Sequence, residues 1–284
     1  MWKCAYCGKT ASEMPEPMKC PNCGLVLGKA GVTEEKYDLL RKIVELNDYD
    51  FLIDACAGSG KVQVDEKLIP GSPLIFNEFA RIKTPPAKRV FIEFDQKTFK
   101  LLKNFCNNSD AIFINGDCNQ HLLNLVDGNT RTLVFIDPFG YGIPAIKRSV
   151  ILKLSETPNT DLLINFSWRI AREMGHARTY LNCTRDNCPS PSHIYRKVTS
   201  CTSCPTRRKA MQYARSLDIW WGHKNWMNWG SLKIGEYAKK YAKPLMTNNK
   251  VQIIPIPRFK KATYHLIFAT KFETLKLGIM RWLK

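Results

Sequence analysis

Apolar residues follow two rhythms along this chain. Phe51-Leu-Ile-Asp54, Arg89-Val-Phe-Ile-Glu93, Ala111-Ile-Phe-Ile-Asn115, Thr132-Leu-Val-Phe-Ile136 and Asp161-Leu-Leu-Ile-Asn-Phe166 are short solid runs that read as buried strands. The segments between them have helical spacing. Thr33 stands as an N-cap before Glu34 and Glu35, and Tyr37, Leu40, Ile43 and Val44 follow on one face. Gly71-Ser-Pro73 supplies a turn, a cap and a first-turn proline for a helix through Phe79, and further helices are expected near 96–106, 118–126 and 144–155. Strand and helix alternate, so the expected fold is α/β, a doubly wound and mostly parallel sheet. Val251–Ile256 and Thr263–Thr270, joined by a basic turn at Arg258-Phe-Lys-Lys261, predict a terminal antiparallel hairpin and bring the sheet to seven strands. From Arg169 to about Lys243 the rhythm breaks, and an insertion is expected there.

Composition narrows the class. With 284 residues and 44% hydrophobic content the chain can bury a full core. No apolar run approaches the roughly 20 residues that span a bilayer, and Met1-Trp-Lys-Cys does not read as a signal peptide, so a cytoplasmic protein without a membrane partner is expected. The charge is uneven. Residues 1–168 hold 20 Lys+Arg and 20 Asp+Glu, whereas residues 169–284 hold 23 and 5, which places the whole net charge of +18 in the second part. Such asymmetry points to a polyanion partner, nucleic acid above all, against the plainer reading of a solvated basic surface.

Eight of the 11 cysteines fall into two quartets with metal-like spacing. Cys4-x-x-Cys7 and Cys20-x-x-Cys23, followed by Gly24, read as a zinc ribbon over residues 1–28, too short to hold a core without its metal. Cys183, Cys188, Cys201 and Cys204 form a looser quartet inside the insertion, either a second zinc site or a redox or buried set. Two zinc ions are thus expected, one per quartet, with residues 29–284 as the main domain carrying the insertion at about 169–243. Cys56, Cys106 and Cys118 lie in or beside apolar segments, where packing is the expected role.

Two segments at strand ends carry the candidate chemistry. Asp54-Ala-Cys-Ala-Gly-Ser-Gly60 places small residues where a strand turns sharply, so that Ala55, Cys56, Gly58 and Gly60 can bring backbone close to a ligand beside Asp54. Asp137-Pro-Phe-Gly140 puts an acid, a rigid proline and an aromatic at the end of the fourth strand. Between them, Glu93 at the end of the second strand is placed to accept both hydroxyls of a ribose, with Asp95 as competitor if the strand runs two residues longer. Asp117 could accept from an adenine amine, or could cap the helix beginning at Cys118. A phosphate loop is disfavoured because Lys61 is followed by Val62 and the first glycine is missing, and nicotinamide binding gives the Asp137 tetrad no role. Together these features favour transfer of a methyl group from S-adenosylmethionine.

Asp54-x-x-Ala-Gly-x-Gly60, Pro70-Gly-Ser-Pro73, Phe91-Ile-Glu93, Asp137-Pro-Phe-Gly140, the Trp-rich stretch and Tyr264-His-Leu-Ile-Phe268 resemble the three-Cys-motif partner proteins over roughly residues 36–284. That resemblance implies a class I methyltransferase fold and association with a radical enzyme that uses S-adenosylmethionine. The N-terminal ribbon and the second quartet depart from the family's usual pattern. The tetrad is also similar to the acceptor motif of tRNA guanine N2-dimethyltransferases, which implies an exocyclic amine as acceptor, with Asp137, Pro138, Phe139 and Gly140 as catalytic residues and Asp137 also beside the cofactor. The expected activity is methylation of nucleic acid, RNA before DNA. Trp220, Trp221, Trp226 and Trp229 offer stacking faces for unpaired bases, unless they are core, and His223 is expected to pack. A binding subunit that has kept the fold without turnover, and a protein amide methyltransferase, are the alternatives.

Overall fold

The computed structural model describes residues 1–15, 18–107, 110–138, 146–181, 205–256 and 264–272. The chain opens with β1 (Trp2–Lys3), β2 (Thr10–Ala11) and β3 (Val26–Leu27), followed by helix α1 (Thr33–Glu45) and strand β4 (Phe51–Asp54). A hairpin, β5 (Lys61–Val64) and β6 (Lys67–Pro70), leads to α2 (Ser72–Ile82), β7 (Lys88–Glu93), α3 (Gln96–Phe105), β8 (Ile112–Asn115), α4 (Cys118–Leu125) and β9 (Thr132–Ile136). After α5 (Arg148–Glu156) and β10 (Thr160–Ser167) the described residues form the α-helices α6 (Trp168–Leu181), α7 (Pro205–Trp221) and α8 (Ile234–Ala242), and then β11 (Lys250–Ile256) and β12 (Tyr264–Thr270).

The expected seven-stranded sheet has the order β8-β7-β4-β9-β10-β12-β11. Strands β8, β7, β4, β9 and β10 are parallel, and β12 is antiparallel to both β10 and β11. All five residues of β9 are buried, as helices on both faces of a parallel sheet require. One core lies between the sheet and the inner faces of α1 and α2, through Tyr37, Leu40, Ile43 and Phe76. The other lies under α4, α5, α6, α7 and α8.

Local details differ from expectation in four places. Thr33 is the first residue of α1 rather than its cap, and its hydroxyl accepts from Lys29 N–H at 2.9 Å, closing the preceding turn. Ser72 likewise begins α2, with Gly71 in the cap position, because the Ser72 hydroxyl is turned to Asp54. The β5–β6 hairpin was not foreseen, although Lys61-Val-Gln-Val64 alternates and Asp65 takes a turn conformation with φ of 52°. Finally, Trp220, Trp221 and Trp226 are core, not stacking faces: each is at most 3% exposed, and Trp226 Nε1 donates to Asp218 at 2.8 Å. Only Trp229 is half-buried, edge-on to Trp221.

The described part of the expected insertion packs on the sheet. Met174, Ala177, Tyr213, Leu217, Tyr237 and Tyr241 share a core cluster with Ile136, Leu162 and Ile164. Buried Arg148 of α5 donates to the Tyr241 carbonyl at 2.5 Å and lies over its ring. Cys183, Cys188, Cys201 and Cys204 lie outside the described residues, as do Phe139, Gly140 and the basic turn at 258–261.

The ribbon also joins the body of the molecule. β3 pairs in parallel with β5, so the ribbon and the hairpin share a three-stranded sheet. Trp2, Leu25 and Leu27 of the ribbon close their small core with Leu101 of α3.

Candidate cofactor and acceptor site

The carboxyl ends of β4, β7, β8 and β9 surround a pocket at the point where strand order reverses, the place where an open α/β sheet binds its ligands. Ala55, Cys56 and Gly58 form one wall, Glu93 and Phe94 the second, and Gly116, Asp117 and Cys118 the third, with Pro138 closing the side toward β9. Gly58 and Gly60 have φ of 63° and 79°, values that L side chains rarely adopt, which explains two of the small residues in the loop.

Glu93 is the carboxylate turned to this pocket, 7% exposed. Its Oε2 accepts from Gly58 N–H and its Oε1 from Asp95 N–H, both at 2.9 Å. Asp95 serves a different purpose: it caps α3 by accepting from Thr98 N–H at 2.9 Å. Asp117 caps α4, as one of its two expected roles, by accepting from Asn119 N–H at 3.0 Å, and it also lines the pocket. Phe94, missed by the sequence reading, is 55% exposed on the pocket wall, where its ring is available to a flat ligand. Cys118, expected to pack, is 7% exposed, and its side chain meets that of Cys56 at the pocket wall.

Asp54 is fully buried. Oδ1 accepts from Cys56 N–H at 3.2 Å, whereas Oδ2 has no partner in the protein. Burial pushes its carboxyl up to about 7; the Ser72 and Cys56 hydrogen bonds oppose the rise, and the charges of Asp137 and Glu93 add to it. Asp137 is held from two sides, by Lys36 Nζ of α1 at 2.5 Å on Oδ2 and by Asn165 Nδ2 of β10 at 2.6 Å on Oδ1. Burial alone would lower the Lys36 ammonium, but the Asp137 charge outweighs it and raises its pKa above the ordinary lysine value. Neither Lys36 nor Asn165 was singled out from the sequence, because only the fold brings α1 and β10 to the end of β9. Three carboxylates thus converge near the strand ends, with Lys36 and Lys19 as the cations beside them.

The first cysteine quartet comes together as a tetrathiolate. Cys4 and Cys23 Sγ are 3.7 Å apart and Cys7 and Cys20 Sγ 3.6 Å, and all four sulfurs lie within 4.8 Å of one another. A tetrahedral zinc with Zn–S bonds of about 2.3 Å sets its sulfurs about 3.8 Å apart, so the cluster fits that ion. Gly8 and Gly24, at φ of 73° and 81°, return their N–H groups to the Cys4 and Cys20 carbonyls at 3.0 and 2.9 Å and form the two turns that present the thiols. Among the described residues it is the one such cluster of potential metal ligands.

The strand order, with its one reversed strand next to the edge and the glycine loop after the central strand, defines a class I methyltransferase-like fold. No family profile and no curated protein matches the chain. Among solved structures, Trm1 from Pyrococcus horikoshii in complex with S-adenosyl-L-methionine is 14% identical with a TM-score of 0.41, covering 89% of this chain and 60% of its own. Aeropyrum pernix fibrillarin with natively bound S-adenosyl-L-methionine is 12% identical with a TM-score of 0.42, covering 82% and 74%. A putative rRNA methylase from Clostridium thermocellum is 10% identical with a TM-score of 0.41, covering 84% and 95%. The chain therefore spans about 60% of the length of the Trm1 it matches.

Proposed function

We propose that this chain is an S-adenosylmethionine-dependent methyltransferase that acts on nucleic acid, with an exocyclic amine of an RNA base as the acceptor. The observation that carries the reading is the convergence, at one strand-order reversal, of the positive-φ glycine loop, Glu93, Asp117 and the Asp137-Pro138 step. S-adenosylmethionine, when bound, supplies an electrophilic methyl group. The protein's residues suit it: Glu93 can accept the two ribose hydroxyls, Asp117 can accept from the adenine amine, the Phe94 ring can lie against the adenine, and Asp54, buried behind Ala55 and Cys56 of the wall, adds negative charge on the side of the methionine part. The acidic strand ends also favour a ligand carrying positive charge.

On the acceptor side, an exocyclic amine is a weak nucleophile because its lone pair is delocalised into the base. Acceptors on the amine hydrogens draw that pair out of the ring plane. Asp137, fixed in place by Lys36 and Asn165, and the Pro138 carbonyl would serve as those acceptors, with Pro138 stiffening the backbone between them. Asp137 is then an orienting acceptor, and the proton can leave after the methyl arrives. Nucleic acid is preferred to protein because the net charge of +18 lies wholly in residues 169–284.

The test is incubation of the protein with labelled cofactor and with RNA, DNA and protein from cells lacking the gene. Methyl label in the RNA fraction, on a base amine, is the expected result; label only in protein would favour the amide reading. Glu93→Ala should weaken cofactor binding at least tenfold in calorimetry, from loss of hydrogen bonds to a charged group worth about 1.5–3 kcal/mol. Unchanged affinity in that variant would remove the basis of the assignment.

A further inference from the structure

The ribbon touches the cofactor loop at three levels. Backbone pairing comes first: β3 runs beside β5, Gly28 N–H donates to the Gln63 carbonyl at 2.8 Å, and Val26 N–H donates to Ser59 Oγ, inside the glycine loop, at 3.0 Å. Buried Gln63 adds a two-way clamp, accepting from Ala5 N–H and donating to the Lys3 carbonyl, both at 2.8 Å. Packing comes next. A Cβ at Gly58 would stand 3.2 Å from Val26 Cγ2, and one at Gly24 only 2.8 Å from the Thr98 backbone nitrogen, so the second thiolate turn lies flush against the first turn of α3. Thr98 Oγ1 also donates to the Gly24 carbonyl at 3.1 Å. Charge is the third level. Lys19, adjacent to the ligand Cys20 and paired across a bridge with Val26, lines the pocket and sets its Nζ 3.5 Å from Glu93 Oε1.

A segment of 28 residues with so small a core owes its shape to its metal. Here the shape so held is the outer wall of the cofactor site. We infer that the tetrathiolate centre and the cofactor pocket are thermodynamically coupled: with zinc bound, the ribbon holds Lys19 at the Glu93 carboxylate and Val26 against Gly58, and without it the pocket loses that wall and its affinity for the cofactor. Lys19 is a positioning residue in this arrangement. Its ammonium adds a third contact to the acid that the Gly58 and Asp95 N–H groups already hold and that is to accept the ribose hydroxyls, and it balances that carboxylate's charge. By linkage the coupling is reciprocal, so cofactor must raise zinc affinity by the factor by which zinc raises cofactor affinity. The inference rests on the cofactor assignment above.

The experiment uses the full chain and two probes, zinc(II) and S-adenosylhomocysteine. Calorimetry on the zinc-loaded protein, on protein stripped with a chelator, and on Lys19→Ala and Lys19→Arg measures the S-adenosylhomocysteine affinity. A competing chromophoric chelator measures zinc affinity with and without that ligand. Stripping should weaken ligand binding at least tenfold while the far-ultraviolet dichroism of the main sheet persists. Lys19→Ala should weaken it at least threefold at full zinc content, and Lys19→Arg should restore most of the loss. Zinc affinity should rise at least tenfold with ligand present. If the stripped chain unfolds altogether, the Lys19 pair and the zinc titration decide the matter. Equal ligand affinity in Lys19→Ala together with zinc affinity indifferent to ligand overturns the coupling. A zinc-loaded chain that binds no ligand overturns the cofactor assignment itself, and the inference with it.

Discussion

Asp54 and Asp137 are both acids at strand ends, yet their surroundings give them different tasks. Asp54 has its carboxyl pushed up to about 7, first by burial and then by the charges of Asp137 and Glu93. Since the folded-state value lies above the ordinary 3.8, the native state holds the extra proton between those limits. Stability therefore falls as pH rises from about 4 to about 7 and stays low above it. Asp54→Asn should abolish that fall and, at pH 8, stabilise the ligand-free protein by roughly 2–4 kcal/mol in urea unfolding, while weakening cofactor binding. A pH-stability curve that keeps its slope in the variant would assign the titration to another group. Asp137, by contrast, is paired with buried Lys36. Asp137→Ala alone would strand that ammonium, at a cost of about 3–5 kcal/mol, so loss of activity in the single variant would be ambiguous. The double variant Asp137→Ala/Lys36→Met removes both charges. It should stay folded and bind cofactor, yet lose turnover by roughly a hundredfold or more; near-normal methyl transfer would show that the strand end is not the acceptor site.

At the scale of elements, the loops after β7 and β8 are each fixed by the helix cap that follows. Asp95 and Asp117 cap α3 and α4, and this orients the backbone on either side of Glu93 and Gly116. The division of labour between Glu93 and Asp95 can be read out directly. Asp95→Ala should cost about 1 kcal/mol of stability, the usual loss of an N-cap, with cofactor affinity changed less than threefold. If that substitution instead weakened cofactor binding as much as Glu93→Ala, the ribose acid would have been misassigned. The helices after β10 illustrate the opposite relation between element and sequence. Their arginines and tryptophans look like a binding face in the one-dimensional pattern, but Arg178 donates to the Trp229 carbonyl and, at 3.0 Å, to Tyr237 Oη, and Trp220, Trp221 and Trp226 fill the core.

Over the whole molecule, charge and fold divide the chain differently. Of the acids at these strand ends, Asp54 and Glu93 close β4 and β7 and Asp117 and Asp137 follow β8 and β9, whereas the excess of cations follows β10. Arg208, Lys209 and Arg215 on α7 and Lys233, Lys239, Lys240 and Lys243 around α8 are exposed, a distribution suited to a phosphate backbone. RNA affinity should accordingly fall about tenfold or more between 50 and 200 mM salt if three or more phosphates are contacted. Affinity independent of salt would point to a different partner. Among the described residues no helix is long and apolar enough to cross a membrane.

The sequence by itself determined the seven strands, the parallel class, the ligand spacing of the first cysteine quartet, and the strand-end positions of Glu93 and Asp117. These depend on periodicity, ligand spacing and strand-end chemistry, which are local properties of the chain. Only the tertiary structure decided where the ribbon docks, that Lys36 and Asn165 hold Asp137, and that Trp220, Trp221 and Trp226 are interior. The ribbon's pairing with β5, Val26 with Val62 and Leu27 with Gln63, depends on a register that local pattern does not encode. Lys36 and Asp137 lie 101 positions apart, and a lone lysine on a helix gives no sign of its partner until the sheet is assembled. A tryptophan is equally suited to stack on a base or to fill a core; the difference is whether another element covers it, and α8 supplies that cover with Tyr241 stacked 4.7 Å from Trp220.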